Sequence, residues 1–286
     1  MRRITCQASA SGADSGTRSA FSLVELLVTI AIIAVLASLL APALSQAREK
    51  SRQVFCANNQ RQLAFAWTTY AGDNADLLPY NLGATEIGQM LDEHENYNWA
   101  SSVLTWETEP GNTNFLLNTQ GSLGRYLGTA AQVFRCPSDR AVSSVQRQAG
   151  WSERCRSISM NAMVGDAGEF TRYGTNVNNP SYKQYLKHSD IPDPSDIFVF
   201  IEEHPDSIND GYFLNRAYSW QWTDLPASYH SGGANIAYSD GHTEARRWKE
   251  GSTRKPPFPD GAGLPVNLLA NERNDFNWLM AHTSHH

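Results

Sequence analysis

The chain has 286 residues and a formal net charge of −6, with 41% hydrophobic and 18% charged residues. That balance supplies a sizeable core and excludes wholesale disorder, and a pI near 5.7 excludes a global electrostatic footprint for nucleic acid. Four Cys are too few for a disulfide scaffold. From Leu26 to Ala47 no side chain is charged. A hydrocarbon core of about 30 Å takes roughly 20 apolar residues of helix, so this segment can span a bilayer.

A cleaved secretory signal fits the segment poorly. Its apolar core runs about 7 to 15 residues and ends at a small-residue cleavage site, whereas Ser45-Gln46-Ala47-Arg48 leads into further helix-forming sequence. Glu25 is an acid set in apolar sequence, which costs about 2.5 kcal/mol or more in lipid and marks function. Pro42 removes a backbone donor and predicts a kink or local melting. Arg2, Arg3 and Arg18 precede the run while Arg48, Lys50, Arg52 and Arg61 follow it, so the positive-inside rule does not fix orientation.

The stretch Ala20-Phe21-Ser22-Leu23-Val24-Glu25-Leu26-Leu27-Val28 resembles the prepilin-type N-terminal cleavage and methylation signal of type IV pilins and type II secretion pseudopilins. The resemblance implies a cut between Ala20 and Phe21 by prepilin peptidase, on the cytoplasmic side, and methylation of the new N-terminus. It makes Ala20, Phe21, Leu23 and Glu25 processing residues, with Glu25 and Pro42 in assembly. Ala20 departs from the glycine usual before the cut. In lipid the Glu25 carboxylate needs a partner, and the freed ammonium of Phe21 in a neighbouring subunit would be one.

The helical signal continues beyond the apolar run. Phe55, Asn59, Leu63, Ala66 and Tyr70 follow a 3–4 spacing widened by Val54, Ala64 and Trp67, which predicts an apolar stripe in need of cover. Ala71-Gly72-Asp73-Asn74 supplies stop signals. Residues 98–106 read as helix or strand, 123–128 as a short helix ending at Gly128, and 165–181 as a loop. Ile197-Phe198-Val199-Phe200-Ile201 is a buried-strand run. Residues 234–238 and 243–248 flank Ser239-Asp240-Gly241-His242 as a hairpin. Residues 189–195 and 256–265 should be irregular, and 275–281 a final short helix.

Nine residues separate His230 from Asp240-Gly241, a spacing that resembles a C-terminal H-x9-DG signature of large prepilin-like proteins from planctomycete- and verrucomicrobium-type bacteria. The blocks around Cys56, Cys136 and Met160 look like recurring parts of the same group. Glu202, Glu203, His230, Asp240 and His242 are the weak candidates for a divalent cation. The preferred reading has no metal: an extended strand would hold His230 and Asp240 tens of ångströms apart at about 3.3 Å per residue. Asp240-Gly241 is then turn chemistry, and His230 orders its loop by hydrogen bonds. Asp206, Asn209 and Asp210 form an oxygen-rich loop without calcium-loop spacing. Cys6 leaves with the leader. Cys136–Cys155 is a candidate disulfide, with Cys56–Cys136 as the alternative. His282, His285 and His286 read as an untethered tail.

No Gly-x-Ser-x-Gly elbow, phosphate loop, zinc-protease helix or Cys-x-x-Cys pair is present. The expected fold is α+β and pilin-like: a long N-terminal transmembrane helix packed on an antiparallel sheet, with loop-rich insertions. Residues 1–20 form the leader and 21–73 the helix, of which 21–44 serve membrane and assembly while 45–73 pack on the globular part. Residues 74–286 form the extracytoplasmic α+β domain. The resemblance implies a non-enzymatic subunit of a type IV pilus-like or type II secretion pseudopilus-like assembly, single-pass in the inner membrane, with its domain periplasmic or extracellular. Its implied partners are prepilin peptidase/methyltransferase, other pilin-like subunits, the assembly platform and the bilayer, with no nucleic acid and no required cofactor. The alternative is an anchored ligand- or glycan-binding protein.

Overall fold

The computed structural model describes residues 22–128, 130–259 and 263–285. Ala20, Phe21, the leader and His286 lie outside the described residues. Two compact units are present, Met1–Ala47 and Arg48–His286. Helix α1 spans Leu23–Asp73.

In the first unit every described residue is exposed. The helix has an 18-residue window of mean hydropathy 2.7, long and apolar enough to cross a membrane. A helix apolar on all sides needs lipid or sister helices as its solvent. Its start is closed by a reciprocal capping box: Ser22 N donates to Glu25 Oε2 at 2.8 Å and Glu25 N to Ser22 Oγ at 3.2 Å.

In the second unit α1 buries Cys56, Asn59, Gln60, Leu63, Ala64, Ala66, Trp67 and Ala71. The face is turned from the predicted stripe, since Val54 and Phe55 are exposed while Cys56 and Gln60 lie inside. The reason is polar. Gln60 Nε2 donates to the Asn235 carbonyl at 2.8 Å, and Asn59 Nδ2 to the Gln132 carbonyl at 3.0 Å. These side chains satisfy backbone groups of the surface they cover, which hydropathy cannot anticipate.

Helix α2 (Ala84–Asp92) and the short helices α3 (Leu116–Thr119), α4 (Gly124–Leu127) and α5 (Ser144–Gln148) follow. The strands are β1 (Ile158–Asn161), β2 (Thr171–Arg172), β3 (Thr175–Asn176), β4 (Asn179–Lys183) and β5 (Phe198–Glu202), then β6 (Tyr212–Phe213), β7 (Gln221–Trp222), β8 (Gly233–Tyr238), β9 (Thr243–Arg247) and β10 (Val266–Asn267). Helix α6 (Asn274–Ala281) closes the series.

The main sheet has the order β6-β1-β5-β8-β9. Its pairs are antiparallel except β1 with β6, which run parallel, so the sheet is mixed where an antiparallel one was expected. Strands β1, β5 and β8 are buried throughout, and in β5 this double-sided burial reads in the sequence as an apolar run rather than an alternation. Leu63 and Trp67 of α1 pack with Trp99, Phe134, Phe200 and Ala237 on one side. Ile201, Ile236, Trp222 and Trp248 pack with Phe276 and Leu279 of α6 in a separate core.

The rest is loop-rich, and buried asparagines take the place of ladders. Asn81 donates to the carbonyls of Met160 and Asn161 and accepts from Trp99 Nε1. Asn112 holds Thr105 N and Asn118 holds Ser102 N. Residues 98–106 are therefore neither helix nor strand: their backbone N–H groups go partly to these asparagines and partly to backbone carbonyls of distant segments, as Trp99 N to Tyr80 and Leu104 N to Asn209. The expected loop at 165–181 instead carries most of the small sheet β2-β3-β4, and Asn176 of β3 donates to Gln184 Oε1 just past the end of β4. The C-terminus is tethered rather than free. The His285 ring meets Tyr185 Oη at 2.8 Å and Thr283 and Ser284 are buried, while His282 Nε2 lies 3.2 Å from Asp196.

Candidate metal centre

Four chain segments meet at one buried point of the second unit. Cys56 reaches it from the covered face of α1. Cys136 comes from the turn after the 3-10 helix Ala131–Phe134, where Cys136 N donates to Ser157 Oγ at 2.6 Å. Glu202 is the last residue of β5. His230 sits in a tight reversal before β8: Ser231 and Gly232 have φ of 55° and 85°, and His230 N donates to the Gly233 carbonyl at 3.1 Å. A positive φ at successive positions suits glycine best, and it is what turns the imidazole inward.

One ligand atom from each of Cys56, Cys136, Glu202 and His230 lies within 4.8 Å of the others. The two cysteines and Glu202 are 0% exposed and His230 4%, so solvent does not reach the cluster. His230 Nε2 lies 3.1 Å from Glu202 Oε1 and 3.4 Å from Cys136 Sγ. The outer atoms are held too. His230 Nδ1 lies 3.1 Å from Glu49 Oε1, Asn235 N donates to Glu202 Oε2 at 2.7 Å, and Ser138 N donates to Cys136 Sγ at 3.4 Å.

The electrostatics follow from burial and close neighbours. Burial, helped by Cys56 and the Glu202 charge, holds the Cys136 thiol far above its ordinary range. Contact with Cys136 pulls Cys56 the other way, but burial and the charges of Glu202 and Glu49 raise it overall. Burial opposes charging His230, yet contacts with Cys136 and Glu202 outweigh it and raise the imidazole to about 11. Two sulfurs, an imidazole nitrogen and a carboxylate oxygen form a donor set suited to a borderline-soft cation.

Of the candidates read from the sequence, Glu202 and His230 come together and the others do not. Glu203, one residue along the strand, projects to the opposite face, where burial outweighs Ser159, Ser207 and Arg156 and raises it to about 8. Asp240 and His242 lie at the exposed hairpin turn, where Asp240 Oδ1 accepts from His242 N at 3.0 Å. Asp206 accepts from Phe258 N, and Asp210 from Ala84 N and Tyr212 N, so the oxygen-rich loop is committed to backbone donors. The Cys136–Cys155 disulfide is not formed: Cys56, Cys136 and Cys155 are free thiols. Backbone bonding of Cys155 N to the Asn112 carbonyl draws it away to Leu104 and Ile208. Sequence reading missed Cys56, Cys136 and Glu49 as partners of His230. Each cysteine stands in a recognisable block, but only the fold makes the blocks neighbours.

A family model described as "Protein of unknown function (DUF1559)" matches residues 45–211, more than half of the chain. A second, described as "Prokaryotic N-terminal methylation motif", matches residues 16–41. No curated protein and no solved structure matches the chain. The N-terminal match makes the chain a prepilin-type cleavage and methylation protein, a prepilin-like substrate of type IV pilus or pseudopilus systems. The cluster residues Cys56, Cys136 and Glu202 fall inside the longer match, and His230 follows it.

Proposed function

The chain belongs to the family described as "Protein of unknown function (DUF1559)", and from its N-terminal methylation motif we propose that it is a structural subunit of a type IV pilus-like or type II secretion pseudopilus-like assembly. One observation carries the reading: the methylation motif at 16–41 runs into a helix whose residues through Ala47 are exposed on every side. Such a surface is stable only in a bilayer or among sister helices. In this reading residues 1–20 are the leader and 21–44 the membrane and assembly segment, while 45–73 cover the sheet. Residues 74–286 complete the extracytoplasmic domain, and the anchor crosses the inner membrane once. Prepilin peptidase, other pilin-like subunits and the assembly platform are the partners.

The mass of the N-terminal peptide from the membrane fraction tests it. A chain beginning at N-methylated Phe21 is expected. A chain still beginning at Met1 would leave an anchored domain without prepilin processing, and a start beyond Ala47 would remove the anchor altogether.

A second reading, an anchored ligand- or glycan-binding protein, draws on a cleft of about 590 Å³ lined by Arg140, Arg147, Tyr229, Arg254 and Lys255. Its cationic wall favours an acidic polysaccharide, and retention of the full chain on such a polymer at moderate salt would favour this reading.

A further inference from the structure

We propose that Cys56, Cys136, Glu202 and His230 bind one zinc ion in a closed structural site that fastens the second half of α1 to the main sheet. Around a tetrahedral zinc, bonds of about 2.3 Å to sulfur and about 2.0 Å to nitrogen or oxygen place N and S about 3.5 Å apart, and N and O about 3.3 Å apart. The observed separations are 3.4 Å for His230 Nε2 to Cys136 Sγ and 3.1 Å for His230 Nε2 to Glu202 Oε1. An ion would therefore need only small outward movements of these donors.

The surroundings make the stronger argument. A metal-bound histidine normally donates its other ring N–H to a carboxylate, and Glu49 occupies that place on Nδ1. Glu202 is oriented through Oε2 by Asn235 N, which leaves Oε1 turned to the cluster. Ser138 N points at Cys136 Sγ, the arrangement that stabilises a thiolate. The contacts of Glu49 and Asn235 N fall on atoms that an ion would leave free, while Asn235 Nδ2 makes a longer contact of 3.5 Å with Glu202 Oε1. Two thiolates and a carboxylate against a divalent cation leave a net charge of about −1, with imidazole neutral. Coordination would release the thiol protons and free the Nε2 lone pair.

Four protein donors with no access for solvent describe a structural rather than a catalytic site, since a catalytic zinc keeps an open position. The ligands come from α1, the turn after Phe134, the end of β5 and the reversal before β8. One ion thus ties α1 and the turn after Phe134 to the paired strands β5 and β8. The cavity-lining arginines of the cleft play no part in this site.

The test uses the full chain purified in detergent, first without added metal. About one zinc per chain is expected by elemental analysis. Exchange with cobalt(II) should give tetrahedral visible bands and a near-ultraviolet sulfur-to-metal transition, read on the unmutated protein. Cys136→Ser should lose that transition and the bound ion. Glu49→Gln, which keeps all four donors, should weaken zinc affinity by about 10- to 100-fold. Three results would each overturn the proposal: reduced, folded protein that takes up no cobalt, a Cys56–Cys136 disulfide in the membrane-derived protein, or a bound ion retained unchanged in Cys136→Ser.

Discussion

His230 Nε2 lies 3.4 Å from Cys136 Sγ, across 94 residues of sequence. The same nitrogen meets Glu202 at the end of β5, and the opposite ring nitrogen meets Glu49 on α1. One imidazole therefore links the membrane-proximal helix, a loop and the central strand within the second unit.

Glu202→Gln is expected to lower stability by about 2–4 kcal/mol, because the buried imidazole loses its charged partner and Asn235 N a strong acceptor. Urea unfolding followed by tryptophan fluorescence measures it. A loss under about 1 kcal/mol would mean that the cluster contributes little to holding α1 on the sheet.

Gly233→Ala should destabilise by about 1–3 kcal/mol through overpacking. A Cβ at Gly233 would collide with the backbone carbonyl of Arg246 on β9, and the strands must part to admit it. Gly241→Ala, at the hairpin turn, places a side chain at positive φ but meets nothing nearby, so its cost should be the smaller. Reversed ranking in thermal melts would contradict the assigned β8–β9 register.

Asp224 is buried, and burial together with Glu203 raises its carboxyl well above the ordinary range, against Leu214 N and Arg216 and with Asp210 adding to the rise. Its folded form holds a proton that the unfolded chain releases. Its contribution is complete below the ordinary carboxylate range and is lost as pH rises through the raised value. Asp224→Asn, which keeps an acceptor for Leu214 N, should make the decline of stability with pH shallower. Glu203 should preserve part of the slope. An unchanged slope across melts from pH 4 to 9 would refute this.

Glu25→Ala is expected to leave N-terminal cleavage largely intact and to block incorporation into filaments. In the isolated chain the carboxylate folds back on Ser22 N, a contact that assembly would exchange for the ammonium of a neighbouring Phe21. Normal filaments carrying the substitution would count against the assembly role.

The parts legible in the sequence are those with short-range causes. The helix over Leu23–Asp73, the strand Phe198–Glu202, the hairpin of β8 and β9 and the last helix each follow from periodicity, apolar runs or turn residues. The Asn-rich stretches were opaque because Asn81, Asn112, Asn118 and Asn161 bond to backbone far away or around a turn, and such partners leave no periodic trace. The tethering of His285 was opaque for the same reason: its partner Tyr185 is 100 residues distant.

The sequence by itself determined the long apolar helix, because the charge-free run between Glu25 and Arg48 is long enough to cross a bilayer. It also determined the α+β class, through hydrophobic patterning that each segment carries alone. Only the tertiary structure decided that Cys56, Cys136, Glu202 and His230 share one buried point, and that Glu203, Asp240 and His242 do not. Strand parity separates Glu202 from Glu203, and an extended β8 separates His230 from Asp240. Convergence of side chains depends on register and packing, which no spacing along the chain encodes.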